Sequence, residues 1–350
     1  METIQTTSNN EHSEDVNEIF VQALKLFKGD GVPVNKQEAA RNFKIAADKG
    51  HVESMFNYGL MLSNGYGVEI DKKEAVKYYK MAADKGDKQA MYNYALMLSK
   101  GDGVEINKEE SAKYYKLSAD KGEVEAMYNI GCMLDNGDGI PVNKSEAAKY
   151  FKNAAEHGQI NAMYNYGLMV SNGDGVPINK KEAAYYYKKA ADKGHVKAMF
   201  NYALLVHNGE GVKYNEREAA EYFKMAADQG DVDAMNNYGL MLSKGEGVLL
   251  NKKEAARYYK MAADQGHINA IYNYGLILAK TDKIGIDKSE AAHYLKTAAD
   301  KGDRNAMYTY GIMLSKGDGI DVDKEGARQY LQMAADQGDQ DAVDALNDLN

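Results

Sequence analysis

Seven histidines and one cysteine are the residues of this 350-residue chain best suited to metal or nucleophilic chemistry. A nucleophile needs a base within hydrogen-bond reach, and a zinc site needs Cys and His at short, fixed spacings. His51, His195 and His267 share one register, but 72 or more residues separate them, so they fall on non-adjacent segments and read as a solvated rim. Cys132 stands where other segments place Leu or Ile, which reads as a core position. Strings such as Gly101-Asp102-Gly103 can be mistaken for phosphate loops, yet such a loop follows a strand and opens a helix. The string recurs in seven Gly-Asp/Glu-Gly copies plus Gly65-Tyr66-Gly67, each after a helical pattern, as a turn would. A calcium loop over residues 135–145 is excluded because glycines occupy positions that need oxygen ligands. These groups predict no catalytic residue, no cofactor and no metal site.

Recognition chemistry is better represented. Asn57, Asn93, Asn129, Asn165, Asn201, Asn237 and Asn273 recur at one register in seven successive segments. An amide carries both donor and acceptor, so it can bind a peptide backbone whatever the peptide sequence. Phe56, Tyr92, Tyr128, Tyr164, Phe200, Tyr272 and Tyr308 sit next to this column and offer side-chain pockets. Packed helices stand roughly 9 Å apart, close to the ~9.3 Å spanned by three polyproline-II residues. An asparagine ladder can therefore meet every third residue of an extended peptide. The competing reading is that each amide bridges adjacent helices inside the protein.

The elements that position these residues come from a repeat. Glycines closing A-A-D-K-G-like strings fall at Gly50, Gly86, Gly122, Gly158, Gly194, Gly230, Gly266, Gly302 and Gly338, always 36 residues apart. They define nine units at 15–50, 51–86, 87–122, 123–158, 159–194, 195–230, 231–266, 267–302 and 303–338. Each unit predicts two helices by its i, i+3/i+4, i+7 spacing; in 159–194 these run over about 161–171 and from just after Asn179. Asn or Asp precedes every second helix, followed in eight units by Glu three residues on, as Asp71 is by Glu74. That spacing predicts a capping box in which the Glu reaches back to the cap. The recurring Tyr78, Tyr114, Tyr150, Tyr186, Tyr222, Tyr258, Tyr294 and Tyr330 read as packed between helices, each hydroxyl finding a partner. A lone hairpin cannot bury its apolar stripe, so neighbours must stack. Residues 1–14 read as a disordered N-terminal segment and 339–350 as a capping helix, with Ala342, Leu346 and Leu349 covering the last hairpin.

Composition limits the partners. Net charge is −9, and lysines alternate with acids rather than forming a basic face. Nucleic acid is therefore not an expected partner. One Cys forbids an internal disulfide, and no run approaches a signal peptide or the ~20 apolar residues of a membrane span. The expected setting is cytoplasmic, without direct membrane insertion.

The units resemble the Sel-1-like repeat family, relatives of the tetratricopeptide repeats. The second unit carries Ser54, Tyr58-Gly59, Gly65-Tyr66-Gly67-Val68, Asp71, Ala75, Tyr78, Ala82-Ala83 and Gly86, and the match extends over about nine-tenths of the chain. Tyr usually replaces the family's Leu, and Leu or Val usually replaces the aromatic four residues later. The eighth unit has Thr281 and Lys283 in place of both turn glycines, with Gly285 displaced to re-form the turn. The resemblance implies an all-α, right-handed α/α superhelical solenoid whose first helices, and with them the asparagine column, line a concave side. It implies a scaffold or adaptor that binds a peptide segment or protein surface there, without catalysis and without a small-molecule ligand. The alternative is a non-catalytic regulatory array associated with an enzyme such as a kinase.

Overall fold

The computed structural model describes residues 7–280 and 288–349, with only the backbone described for 7–14. Among the described residues it holds nineteen α-helices and no strand. They form two compact units, Met1–Ile178 and Asn179–Asn350. The first contains α1 (Thr7–Lys28), α2 (Lys36–Asp48), α3 (Val52–Asn64), α4 (Lys72–Asp84), α5 (Lys88–Lys100), α6 (Lys108–Asp120), α7 (Val124–Asn136), α8 (Lys144–Glu156) and α9 (Ile160–Asn172). The second contains α10 (Lys180–Ala191), α11 (Val196–Asn208), α12 (Glu216–Asp228), α13 (Val232–Lys244), α14 (Lys252–Ala263), α15 (Ile268–Ala279), α16 (Lys288–Asp300), α17 (Arg304–Lys316), α18 (Lys324–Asp336) and α19 (Gln340–Asp348). Within each unit every helix packs on the next in sequence. The architecture is an α/α solenoid, in which odd-numbered helices open the repeats and even-numbered helices close them.

Local chemistry sets the helix ends. Asp71 accepts from the Glu74 N–H at 2.9 Å, and Asn107 accepts from the Glu110 N–H at 3.0 Å, as the cap spacing predicts. The reciprocal half of the capping box does not form. The backbone N–H groups of Asp71 and Asn107 instead donate to the Leu62 and Leu98 carbonyls of the preceding helix, both at 3.0 Å. That connection leaves the glutamates available elsewhere: Glu110 accepts from the Tyr94 hydroxyl at 2.9 Å and Glu218 from Tyr202 at 2.8 Å. The first turn glycine caps the opening helix in the left-handed conformation, at φ 73° for Gly65.

The second turn glycine has a different task. A Cβ built on Gly103 would lie 2.5 Å from the Lys72 backbone carbonyl, so the turn of one repeat rests directly on the start of the preceding closing helix. The acid between the glycines secures the same junction, with Lys72 Nζ donating to Asp102 at 2.7 Å and Lys108 Nζ to Asp138 at 2.7 Å. The closing-helix tyrosines add a further tie. Tyr114 packs edge-on against Tyr94 at 4.8 Å and donates to Asp84 of the previous repeat at 2.6 Å. Tyr78 does the same to Asp48 at 2.8 Å, and Tyr222 to Asp192 at 2.5 Å. Such pairs contribute about 0.5–1.5 kcal/mol beyond simple burial. Between the helices the paired alanines, Ala39-Ala40 and Ala46-Ala47 among them, are fully buried.

The ends differ from the expected plan in one place. Helix α1 begins at Thr7, inside the segment 1–14 read as disordered; no Pro or Gly between 7 and 14 interrupts it. Residues 1–6 lie outside the described residues, as do Thr281, Lys283 and Gly285 of the eighth repeat's turn. At the other end α19 packs on α18 and α17, with Ala342 buried and Asp341, Asp344 and Asp348 exposed.

Candidate functional site

The opening helices bury one face against the closing helices and leave another incompletely covered. In α3 the covered positions are Ser54, Met55, Tyr58, Gly59, Met61 and Leu62; Phe56, Asn57 and Leu60 are only partly buried. The same division holds in α5, α7, α9, α11 and α17. An aromatic column, an asparagine column and a leucine column therefore run side by side on the opening-helix face.

Every predicted recognition residue lies on that face. Asn57, Asn93, Asn129, Asn165, Asn201, Asn237 and Asn273 are all partly buried, as are Phe56, Tyr92, Tyr128, Tyr164, Phe200, Tyr272 and Tyr308. The rings lean on the closing helix of their own repeat, with ring centroids 6.0 Å apart for Phe56–Tyr79 and 5.7 Å for Tyr92–Tyr115.

What each amide does depends on the ring one repeat earlier. Where that ring is a tyrosine, the amide lies beside its hydroxyl, Asn129 by Tyr92 and Asn165 by Tyr128. Thr309, which replaces Asn in the ninth repeat, lies beside Tyr272 and donates to the Asn305 carbonyl of its own helix at 2.7 Å. At two of the three positions behind a phenylalanine the amide turns back on its own helix. Asn57, behind Phe20, donates to the Glu53 carbonyl at 2.7 Å, and Asn237, behind Phe200, to the Asp233 carbonyl at 2.8 Å. Asn273 donates to Asn236, which stands in the aromatic column, at 2.9 Å. Asn93, behind Phe56, has no hydrogen-bond partner among the described residues. One amide of the column, Asn273, thus bridges neighbouring opening helices by a hydrogen bond, and all seven remain partly exposed.

Electrostatics leave the face chemically quiet. Burial raises the Tyr92 and Tyr272 phenols and pushes Tyr128 up to about 12, so all three are uncharged hydroxyls at neutral pH. Burial also raises the Cys132 thiol, which works against the thiolate a nucleophile requires. Cys132 is half-buried beside Tyr128 rather than enclosed in the core. It belongs to the leucine column, four residues after the aromatic, and that i, i+4 relation to Tyr128 is the signal that places it on the exposed face.

The histidines have a structural role different from the expected rim. Each is an N-cap: His51, His195 and His267 accept through Nδ1 from the N–H groups of Ser54, Ala198 and Ala270, at 3.2, 3.1 and 3.1 Å. A histidine can cap in this way only as the neutral ring with the proton on Nε2. A second feature escaped the sequence reading. Val34, Ile70, Ile106, Val142 and Ile178 in the first unit, and Tyr214, Leu250 and Val322 in the second, are each more than half exposed at one register ahead of the closing helix. They lie against the turn glycine five residues earlier, as Ile70 does against Gly65. Among the described residues no group of acids, His and Cys is placed to hold a metal ion, and no helix is long and apolar enough to cross a membrane.

Comparison with known proteins agrees with this geometry. The family model for the Sel1 repeat matches nine times, at residues 26–51, 52–87, 88–123, 124–159, 160–195, 196–231, 232–267, 268–303 and 304–339. Among solved structures the chain is similar to c5321, described as a protective antigen of uropathogenic Escherichia coli with an SLR fold. That match has 25% identity and a TM-score of 0.79, over 99% of this chain and 82% of the other. A Sel1 repeat protein from Oxalobacter formigenes is similar at 26% identity and a TM-score of 0.62, over 94% of this chain and 93% of the other. No curated protein sequence matches. With nine matched repeats accounting for almost all of its helices, the chain belongs to the Sel1 repeat family.

Proposed function

We propose that this protein is a non-catalytic scaffold or adaptor that holds a peptide segment or protein surface against its opening-helix face, the face that the family resemblance makes concave. The observation that carries the reading is the alignment of partly exposed aromatic, amide and aliphatic columns on that face, repeated every 36 residues. Aromatic and aliphatic groups supply apolar contact, while amides supply backbone hydrogen bonds without demanding a particular side chain. Alternating surface charge supports a protein partner over nucleic acid. A single cysteine supports a reducing, cytoplasmic setting.

A photo-crosslinking residue placed at Leu96 or Leu204, on the opening-helix face, is expected to capture a saturable protein partner. The same residue at Lys113 or Glu221, exposed on closing helices, is the control. Equal capture at all four positions, or capture at none, would reject the reading. In the same assay Asn93→Ala is expected to weaken capture without loss of stability, because that amide holds no internal bond.

A further inference from the structure

The eighth repeat departs from the others in its packing as well as its sequence. Ile277 and Leu278, in the last turn of α15, are partly exposed. Their counterparts in repeats two to seven and nine, such as Met241 and Leu242 or Met313 and Leu314, are buried. The exposed apolar surface opens into a cavity of about 280 Å³ between α13, α14 and α15, floored by Leu240, Leu276 and Ile277. Three lysines, Lys244, Lys252 and Lys280, stand around it. In a chain of net charge −9 this is a local concentration of positive charge on an apolar floor.

Lys244 and Lys280 are exposed at the ends of α13 and α15, the register that Lys100 and Lys316 occupy in α5 and α17. Lys244 pairs with Glu246 at 3.5 Å, with both side chains in contact with solvent. Lys280 has no ion-pair partner among the described residues. Lys252 occupies the position from which Lys72, Lys108 and Lys288 donate to a turn acid of the next repeat. The corresponding acid, Asp282, lies outside the described residues, and the charge offered to a ligand is that of Lys244 and Lys280. Asn273, from the amide column, also lines the cavity and donates its amide N–H to the Asn236 carbonyl oxygen at 2.9 Å.

The geometry points to this cavity as an anchor for a peptide segment that carries a carboxylate side chain next to an aliphatic one. The aliphatic group fills the space over Leu240, Leu276 and Ile277, and the carboxylate meets Lys244 and Lys280. This rests on the scaffold reading, because the cavity opens on the opening-helix face, and it adds the chemistry of the occupant.

The test titrates the full chain, with methyl-labelled Leu and Ile, against an acetylated and amidated Gly-Leu-Glu-Leu-Gly peptide. Saturable shifts are expected at the Leu240, Leu276 and Ile277 methyls. The double variant Lys244→Glu/Lys280→Glu should bind about tenfold more weakly, the combined effect of reversing two solvent-screened contacts. Lys253→Glu, on the outer side of α14, should bind like the parent. No shift with the acidic peptide, equal shifts with the Gly-Leu-Lys-Leu-Gly analogue, or unchanged binding by the double variant each overturn the proposal. Binding only by a Gly-Leu-Gln-Leu-Gly peptide with a free C-terminus would overturn the side-chain assignment in favour of a terminal carboxylate. A partner that crosslinks at Leu204 yet binds the double variant unchanged would reject the anchor and leave the scaffold reading standing. Absence of any crosslinked partner alongside a positive titration would do the reverse.

Discussion

At the scale of single residues, position within the repeat decides what a side chain does more than its type. His195 illustrates this, since the cap of α11 depends on a lone pair that protonation removes. Burial, the largest influence on it, lowers its pKa from the ordinary 6.5. The sign follows directly: the unfolded chain takes up the proton first, so the cap's contribution is complete above about pH 6.5 and is lost as pH falls through the lowered folded value. His195→Asn keeps a capping acceptor that does not titrate. Parent and variant should have similar unfolding midpoints at pH 7.5, and the parent should fall behind by up to about 1 kcal/mol at pH 5, the ordinary worth of an N-cap. A constant difference across that range would exclude the role.

Between elements, the decisive contacts join one repeat to the next: the turn glycine on the preceding closing helix, the Lys–Asp pair beside it, and the tyrosine hydroxyl on the previous repeat's aspartate. Two glycines separate this packing from backbone preference. Gly103 and Gly122 both have positive φ, 75° and 84°, but a Cβ at Gly103 would strike the Lys72 backbone while one at Gly122 would meet nothing within 4 Å. Gly122→Ala is expected to cost about 1–2 kcal/mol for the left-handed backbone alone. Gly103→Ala adds an overpacking cost, giving about 2–4 kcal/mol in all. Urea unfolding of both variants checks the ranking, and equal losses would mean that the inter-repeat contact yields without cost.

For the molecule as a whole, stability in a stacked array depends on each repeat and its neighbours rather than on one central core. The eighth repeat should then be a local weak point. Its α15 ends at Lys280 with φ −87°, without the left-handed glycine that ends α13 and α17, and its final apolar residues are partly exposed. Amides of Ile277 to Ala279 should exchange about tenfold faster than those of Met241 to Ser243 and Met313 to Ser315, roughly 1.4 kcal/mol of easier local opening. Matching protection would show that the cavity lies in a repeat as firm as the rest. A weak point that also carries the proposed anchor can order on binding at modest cost.

Much of this organisation was legible in the residues. The 36-residue period, the two helices per repeat, the capping Asn or Asp and the placement of the aromatic and asparagine columns on one helix follow from local spacing, because helix periodicity and capping act over a few residues. The contacts that span about 30 to 37 residues were not legible in the same way. Which ring faces which amide, why Glu110 serves Tyr94 rather than the backbone N–H of its cap, why Cys132 is half-exposed and why Ile277 loses its cover all depend on the offset between stacked hairpins. That offset is set by side-chain volume and close backbone approach across a junction, quantities fixed only when the repeats are in contact.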